Sequence, residues 1–443
     1  MYNTALVMGL GVSGVAAAEL LLSERSQVTV IDAADNLGLR KEAAKLRKKG
    51  AHVILAAHSV PEGVFDVCIV SPGIRSDSDW VRVVEKRGIE VLSELELGAT
   101  RCACPMLAIT GSKGKSTMVK FCGDALALAG KRVEIAGNYG PPLCGVVIKK
   151  RTLDWVVVEV SSFQLERVKS FRPVVGVLLN VQPDHLDRHG SMAAYVGMKA
   201  GMFNRMIRGD LGVVLDENLS LIKKLSKGAN RWLSFGLSDN ADYQYQDGKV
   251  FFKTVGRGRK AVDFRGTIFA NEVLGLMTAA AVAVLRVCGV GAQLIEKVAR
   301  KYKPLPHRMQ IVARKKGVAF INDSKATNLA ALAAGIKMCN GPVRLIAGGL
   351  LKESKLNFVK KTLVNRVARA YLIGKAAKQM ENEWGRSVSC VQCGNIKTAI
   401  KSAWSDAKSG DFVLLSPGCA SFDQFEDFED RGRQFTRAVK LLK

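Results

Sequence analysis

The sequence lacks the marks of several protein classes. It has no long basic tail, no basic stretch interleaved with aromatic residues, no low-complexity segment and no internal repeat at a solenoid period. These absences argue against a nucleic-acid-binding protein and a solenoid. Because apolar residues make up 48% of the chain, a disordered protein is excluded and a large buried core is expected.

Membrane and export signals are also missing. No apolar stretch reaches the length of a membrane-spanning helix. The N-terminal run ALVMGLGVSGVAAAELLL lacks a preceding basic region, and three glycines interrupt it. It therefore predicts a buried strand, loop and helix and not a signal peptide. Most of the ten cysteines lie in apolar runs, which suits reduced thiols, so we expect a cytoplasmic protein without membrane insertion.

Two familiar catalytic and metal signatures are absent as well. The chain has no Ser-His-Asp order and no G-x-S-x-G motif, which argues against hydrolysis through an acyl-enzyme. Cys102-x-Cys104 and Cys390-x-x-Cys393 have no second pair at zinc spacing. Neither pair is therefore expected to bind a metal or to act in redox chemistry.

What the chain has in excess is basic residues. It contains 66 Lys and Arg against 40 Asp and Glu, for a net charge of +26. Such a surplus suits anionic partners, namely nucleotides, nucleic acid or acidic metabolites. The basic residues form short scattered groups, which is also the pattern of an ordinary solvated surface.

Apolar strand patterns alternate with helical patterns along the whole chain, which predicts an α/β protein with parallel sheets. A chain of 443 residues is too long for one core, and Lys303-Pro-Leu-Pro306 is typical of a domain junction. We predict three domains, residues 1–95, 96–304 and 305–443. The first and third are expected to be Rossmann-like, and the central one to resemble a P-loop ATPase with a mostly parallel sheet.

The first glycine-rich loop follows the predicted strand Ala5–Met8. It reads Gly9-Leu-Gly11-Val-Ser-Gly14 and precedes a helix through Glu24, and the next strand ends at Asp32. This pattern is typical of a diphosphate held at a helix N-terminus, with the acidic residue near a ribose. A tight turn without a ligand and the NAD site of a dehydrogenase remain as alternatives.

The second loop reads ITGSKGKST, from Ile109 to Thr117. It is two residues shorter than the usual phosphate-binding loop, G-x-x-x-x-G-K-[ST]. It lies between a predicted strand, Met106–Thr110, and a predicted helix, Ser116–Ala129, which is the context that a nucleotide site requires. Lys115 can therefore reach terminal phosphates, and the hydroxyl of Ser116 or Thr117 can hold Mg²⁺.

Polar clusters follow four of the other predicted strands. Glu159 interrupts an otherwise apolar strand, where a carboxylate is costly unless it is paired with a basic residue or bound to a metal. The segment NVQPDHLDRHG, residues 180–190, crowds Asp and His at a strand's carboxyl end, where α/β sheets bind ligands. Arg308 and Lys325 flank Asp323, and LLSPGCASFDQF forms a turn near the C-terminus.

Taken together, TGSKGKST, GNYGPP, EVSSFQLE, NVQPDHLDRHG, LPHRMQ, INDSKATN and SPGCASFDQF resemble the Mur ligases, in order and over nearly the whole chain. The resemblance explains the short loop, because these ligases use the form T-G-x-x-G-K-[ST]. It implies an ATP-dependent ligase that forms a carbon–nitrogen bond between UDP-N-acetylmuramoyl-L-alanine and D-glutamate through an acyl phosphate, in peptidoglycan synthesis. The implied domains bind the UDP-sugar, ATP and the amino acid in that order, and the implied protein is a monomer.

The resemblance also implies site residues, which we transfer by matching the motifs. The implied catalytic residues are Lys115, His185 and Lys199. ATP binding is implied for Gly111, Ser112, Lys113, Gly114, Lys115, Ser116, Thr117, Arg308 and Asp323. Two Mg²⁺ ions are implied, with the ligands Thr117 or Ser116, Glu159, His185 and Lys199, the last as a carbamate. The UDP-substrate residues are Val12, Ser13, Asp32 and Asn138. The D-glutamate residues are Lys325, Thr327, Lys352, Ser421 and Phe428.

The chain departs from the family pattern at three places. Lys113 stands where Asn is common in the loop, FANEVLG replaces the adenine-side motif so that Asn271 is a weak ATP candidate, and GGLLKES lacks the acidic residue before Lys352. The alternatives are another Mur-type or folylpolyglutamate-type ligase and, from a different class, an NAD-dependent dehydrogenase. For Lys199 the alternative is an exposed helix lysine.

Overall fold

The computed structural model describes residues 1–254, 258–351 and 356–442. The chain divides into two compact units, residues 1–301 and 302–443. Within the described residues, two β-sheets belong to the first unit and one to the second. The predicted α/β alternation is confirmed, and the strands named above begin and end within two residues of their predicted positions. A division of the first unit near residue 95 and a boundary at residue 304 stay predictions.

The first sheet is parallel and has the strand order β3-β2-β1-β4-β5. The order reverses between β1 and β4, which is the switch point where doubly wound sheets bind ligands. Its elements are β1 (Thr4–Met8), α1 (Val12–Ser23), β2 (Gln27–Ile31), α2 (Leu37–Lys48), β3 (His52–Ile54), β4 (Val67–Val70), α3 (Asp79–Lys86), β5 (Glu90–Ser93) and α4 (Glu94–Ala99).

The second sheet has the order β14-β13-β12-β11-β10-β9-β6-β8-β7. Its strands are parallel from β7 to β12, while β13 and β14 add an antiparallel edge. Its strands are β6 (Met106–Thr110), β7 (Val133–Gly137), β8 (Trp155–Glu159), β9 (Val175–Leu178), β10 (Leu211–Leu215), β11 (Arg231–Gly236), β12 (Tyr243–Gln246), β13 (Lys249–Thr254) and β14 (Gly258–Asp263). The sequence did not predict the edge, because a strand such as β14, which reads Gly-Arg-Lys-Ala-Val-Asp, lacks a continuous apolar run.

Helices cover this sheet and place the polar clusters at its carboxyl edge. They are α5 (Lys115–Leu128), α6 (Leu143–Val147), α7 (Ser162–Leu165), α8 (Leu186–His189), α9 (Met192–Ala200), α10 (Asp216–Leu225), α11 (Glu272–Val287) and α12 (Ala292–Lys301), with a 3-10 turn at Gly201–Phe203. The core strand β6 is wholly buried. Because β6 lies between β8 and β9 in the sheet, the loops that follow these three strands meet at one place.

The sheet of the second unit has the order β15-β16-β20-β17-β18-β19, and only β15 is antiparallel to its neighbour. The elements are β15 (Gln310–Lys315), β16 (Val318–Asn322), α13 (Leu329–Lys337), β17 (Val343–Gly348), a 3-10 turn (Leu356–Val359), α14 (Lys360–Arg366), β18 (Val367–Ile373), α15 (Ala377–Trp384), β19 (Cys390–Gly394), α16 (Ile396–Asp406), β20 (Phe412–Leu415) and α17 (Phe428–Lys440). Over the part of the chain described, no helix combines the length and the apolar character needed to cross a membrane.

Candidate active site

The short phosphate-type loop joins β6 to α5. Gly111 and Gly114 both have positive φ, 151° and 85°, which favours glycine at these positions. The ammonium of Lys115, the first residue of α5, donates to the carbonyl of Gly111 at 2.7 Å and to that of Ser112 at 3.2 Å. A lysine folded over a glycine-rich loop at a helix N-terminus is an arrangement that binds phosphate.

The loop is fastened to the segment that follows β9. The side chain of Asn180 accepts from the Lys113 backbone N–H at 2.9 Å and donates to the Lys113 carbonyl at 3.1 Å. The Ser112 hydroxyl accepts from the backbone N–H of Gln182 at 2.9 Å. Sequence reasoning assigned no role to Asn180 or Gln182, whose contacts hold the loop in one conformation.

Lys199 lies beneath this loop and is only 1% exposed. Its ammonium donates to the Gly111 carbonyl at 3.1 Å, so Lys115 and Lys199 share that acceptor. It also lies 4.6 Å from the centroid of the Tyr195 ring. Burial, followed by the charge of Lys115, lowers the pKa of Lys199 to about 7. The alternative of an exposed helix lysine is therefore wrong.

Glu159 ends β8 and is paired in register with Ile109 of β6, two residues before Gly111. Its side chain is buried, and one oxygen accepts from the Asn138 amide at 2.7 Å. The other oxygen, Oε2, has no hydrogen-bond partner within the described residues. A buried carboxylate oxygen without a partner is costly, so its place beside a phosphate-type loop suits a hard cation.

His185 immediately precedes the short helix α8 and has a left-handed conformation, with φ 54°. About half of its side chain is exposed, its Nε2 lies 3.9 Å from Asp184 Oδ1, and its ring packs 4.8 Å from that of Phe163. Burial lowers the pKa of His185, which favours the neutral form that binds metals. Across residues 1–254, 258–351 and 356–442 no group of three or more His, Cys, Asp or Glu is arranged as a metal cage. Any metal here would therefore need hydroxyl, lysine-derived or phosphate oxygens as well.

The first glycine loop lies at the switch point of the first sheet. Asp32 accepts from the backbone N–H of Leu10 at 2.7 Å and from that of Ala34 at 2.9 Å, so its carboxylate shapes this loop directly. Val12 and Ser13 open α1, and Val12 is 79% exposed. The N-terminus of α1, which has no side-chain cap, therefore lies beside the loop, and a helix N-terminus suits an anion.

In the second unit the structure brings two of the predicted glutamate residues together. The ammonium of Lys325 lies 3.6 Å from the centroid of the Phe428 ring. Ser421 is buried and Thr327 is half-buried, while Lys352 lies outside the described residues.

Asp323 and Arg308 occupy the loops at the same end of β16. The Asp323 carboxylate accepts from Ser416 Oγ at 2.9 Å and from the Met309 N–H at 3.2 Å. Burial raises the pKa of Asp323 to about 7. Arg308 is half-buried and lies between two left-handed residues, His307 and Met309. Asn271 instead caps α11, where it accepts from the Leu274 N–H.

Sequence reasoning missed Arg431, which is fully buried in α17. Its guanidinium donates to the Ser324 hydroxyl at 2.9 Å, to the Ser324 carbonyl at 2.9 Å and to the Cys419 carbonyl at 3.1 Å. It thereby ties the loop after β16 to the loop after β20. The helical period is the signal that could have found it, because Arg431 lies on the same buried face as Phe435 and Val439, four and eight residues later.

Comparison with protein families gives three matches along the chain. A model of the MurD-like Mur ligase N-terminal domain matches residues 3–93, one of the Mur ligase middle domain matches residues 109–277, and one of the Mur ligase glutamate ligase domain matches residues 307–419.

Individual proteins give the same result. The chain is 35% identical to UDP-N-acetylmuramoylalanine–D-glutamate ligase of Acidobacterium capsulatum, over 98% of this chain and 95% of that protein. It is 34% identical to the ligase of the same name from Koribacter versatilis, over 99% and 97%. Among solved structures, the MurF ligase of Thermotoga maritima in complex with ADP has a TM-score of 0.63 at 18% identity, covering 94% of this chain and 95% of that one. At that identity the likeness shows the fold alone.

Proposed function

The chain belongs to the Mur ligase family, and from this premise we infer that it is an ATP-dependent ligase that joins D-glutamate to UDP-N-acetylmuramoyl-L-alanine in peptidoglycan precursor synthesis. The observation that carries the substrate assignment is the match to D-glutamate ligases over nearly the full length of both chains. The phosphate-type loop with Lys115 provides the place where ATP would react.

We propose that the reaction proceeds in two steps. The terminal carboxylate of UDP-N-acetylmuramoyl-L-alanine attacks the γ-phosphorus of ATP, which releases ADP and forms an acyl phosphate. The amine of D-glutamate then attacks the acyl carbon, and phosphate leaves from the tetrahedral intermediate. Both steps gather negative charge, so preorganised cations and N–H donors supply most of the stabilisation.

In this proposal the loop residues bind the phosphates of ATP. Lys115 leaves the Gly111 and Ser112 carbonyls to contact the transferring phosphoryl group. The N–H groups at the start of α5 contact the neighbouring phosphate oxygens. In the second unit, Arg308 and Asp323 are proposed to contact the rest of the nucleotide.

Mg²⁺ is proposed at the same edge of the sheet, and the unpartnered Glu159 Oε2 fits it. Thr117 or Ser116 with Glu159 would hold one ion, and His185 a second. When bound, Mg²⁺ would neutralise charge on the phosphate oxygens. Asn138, which holds Glu159 Oε1, would orient that carboxylate as well as contact the muramoyl substrate.

We propose that Lys199 is carboxylated by CO₂. Its burial and lowered pKa make the neutral amine available near neutral pH, and only that form reacts with CO₂. Loss of one proton from the amine gives an anionic carbamate, which supplies an oxygen ligand of the type that Mg²⁺ prefers. A neutral amine or an ammonium in this place would supply none.

The remaining substrate contacts are proposals of the same kind. Val12, Ser13 and Asp32 would hold the uridine diphosphate part, and Lys325, Thr327, Lys352, Ser421 and Phe428 the D-glutamate. The cation at Lys325 suits a carboxylate of the amino acid. A monomer and a cytoplasmic location are also proposed, the latter because the reaction consumes ATP.

A phosphate-release assay tests the function. Purified protein is given ATP, Mg²⁺ and UDP-N-acetylmuramoyl-L-alanine, and each candidate amino acid is added in turn. We expect release with D-glutamate and none with L-alanine, L-glutamate or diaminopimelate. Release with a different amino acid, or with a folate acceptor, would assign the chain to another ligase of the superfamily.

A further inference from the structure

A nearly buried arginine joins the first sheet to the turn that carries His185. Arg188 donates through Nη1 to the carbonyl of Pro72 at 2.7 Å and through Nη2 to that of Ile74 at 3.0 Å. Pro72 and Ile74 belong to the loop that follows β4, whereas Arg188 lies in α8 of the second sheet. Two loops from different sheets are therefore held by one guanidinium.

The same guanidinium is fixed by a carboxylate. Nε and Nη2 of Arg188 donate to the two oxygens of Glu166, at 2.9 and 2.8 Å. Glu166 also accepts from the hydroxyl of Ser76 at 2.6 Å. The side chains of Arg188 and Glu166 are only 11% and 9% exposed. A bidentate ion pair that is shielded from solvent has a fixed geometry, unlike an ion pair at the surface.

The contacts of the Arg188–Glu166 pair connect it to both sites of the proposed reaction. On one side, the loop after β4 contacts the first glycine loop, because Ser71 Oγ donates to the Gly9 carbonyl at 3.1 Å. On the other side, the guanidinium lies 4.1 Å from the centroid of the Phe163 ring, which packs against His185. The pair thus links the nucleotide-type site of the first sheet with the phosphoryl-transfer site of the second.

We propose that Arg188 and Glu166 are positioning residues that set the separation between these two sites. The inference rests on the proposed function, in which one substrate has its uridine diphosphate at the first glycine loop and its reacting carboxylate at the phosphate loop. A substrate held at one end reaches the reaction geometry only when the other site lies at the matching distance. Misplacement by about 1 Å lowers such a rate by roughly a hundredfold.

A positioning role and a purely stabilising role predict different effects on ligand affinity and on turnover. A positioning pair leaves each site able to bind its own part of the ligand. UDP alone and ADP alone contact only one site each, so their affinities do not depend on the separation. The complete substrate contacts both sites, so its rate of turnover depends on the separation between them.

The test compares Arg188→Lys with the unaltered chain. Lysine keeps the positive charge but loses the planar fork that bonds Glu166 and the two carbonyls together. We expect kcat for UDP-N-acetylmuramoyl-L-alanine to fall by about 10-fold to 100-fold. Calorimetric affinities for UDP and for ADP, each measured alone, should change by less than about twofold, since neither ligand spans both sites. Glu166→Gln should give the same division between turnover and binding, and it supports the test if Arg188→Lys fails to fold.

Arg75→Lys is the matched control. Arg75 lies in the same loop after β4, but its guanidinium donates to the Asp77 carboxylate, close by in sequence, at 2.9 and 3.0 Å, and both side chains are exposed. Its turnover should remain normal. Normal kcat in Arg188→Lys, or parallel losses of UDP binding, ADP binding and turnover, would overturn the inference. No phosphate release by the unaltered chain would instead contradict the proposed function, and the inference with it.

Discussion

The ammonium of Lys113 lies 3.0 Å from Asp184 Oδ2, and this ion pair joins the phosphate-type loop to the turn that carries His185. Burial acts to raise the pKa of Asp184, but the charges of Lys113 and His185 outweigh it and lower the pKa. The lysine that stands where the family commonly has Asn is therefore balanced by a carboxylate. Lys113 therefore adds a paired charge to the loop and connects the loop to the turn that carries His185.

Lys115→Ala should lower kcat for phosphate release by about 10²–10³, the usual effect of removing one transition-state contact. The fold should persist, because the Lys115 side chain is only half-buried and its truncation leaves no cavity in the core. Turnover and a thermal melt measured on the same preparation test this. Lys120→Ala, on the same helix and paired with Asp124, is the control and should turn over normally. Near-normal turnover in a folded Lys115→Ala protein would remove the loop from the mechanism.

The first glycine loop should bind UDP and not NAD. Its N–H groups and the N-terminus of α1 suit a diphosphate in either ligand, but the proposed substrate carries a uridine. Calorimetric titration with each nucleotide decides between them. Asp32→Ala should weaken UDP binding, since it removes the acceptor of the Leu10 and Ala34 N–H groups as well as the proposed ligand contact. Tight NAD binding without UDP binding would favour the dehydrogenase alternative for this domain.

The sequence predicted the parts of the site that follow apolar strands. Glu159, the loop from Gly111 to Thr117 and the 180–190 segment each come directly after a buried run. Neighbouring parallel strands end at one edge of the sheet, which is why these groups lie near each other in the structure. The identity of the substrates came from the length and order of the motifs.

The sequence could not predict the contacts that hold the site together. Asn180 holds Lys113 across 67 residues of sequence, and Arg188 reaches Pro72 across 116. Such pairs depend on how the sheets are placed in three dimensions, and neither partner has a local pattern that marks it. The sequence also cannot show that one oxygen of Glu159 lacks a hydrogen-bond partner, because this depends on the groups that surround it in the folded chain.

Glu159→Gln should change metal binding and stability in opposite directions. The variant loses a charged oxygen ligand, so the Mg²⁺ concentration for half-maximal turnover should rise by at least about tenfold. Without metal, the melting temperature of the variant should equal or exceed that of the unaltered chain, because the substitution removes a buried charge with an unpartnered oxygen. Glu134→Gln, whose carboxylate pairs with Arg151 at the surface, is the control for both measurements. Unchanged Mg²⁺ dependence would exclude Glu159 as a ligand.

Glu94 should make the stability of the folded chain depend on pH. Burial raises its pKa from 4.5 to about 7, although it accepts from the Cys144 N–H. The folded state therefore keeps a proton that the unfolded chain releases between these two values. The free energy of unfolding should fall as pH rises from about 4.5 to about 7, by roughly 3 kcal/mol from this group. Denaturant titrations at several pH values in this range give the free energy of unfolding as a function of pH. This dependence should be weaker for Glu94→Gln than for the unaltered chain, and an identical dependence would contradict the raised pKa.

Lys199→Ala should be nearly inactive, and formate or acetate should restore part of its turnover. The variant leaves a space under Gly111, where a small carboxylate can supply the oxygen that the carbamate provides in the proposal. Turnover of the unaltered chain should fall in CO₂-depleted buffer and recover on addition of bicarbonate. That recovery should be stronger above the lowered pKa of about 7 than below it, because only the neutral amine forms the carbamate. Lys223→Ala, at an exposed position of α10, should respond to neither treatment. Full activity of Lys199→Ala without CO₂ would show that another residue completes the metal site, and the burial of this lysine would then need a different explanation.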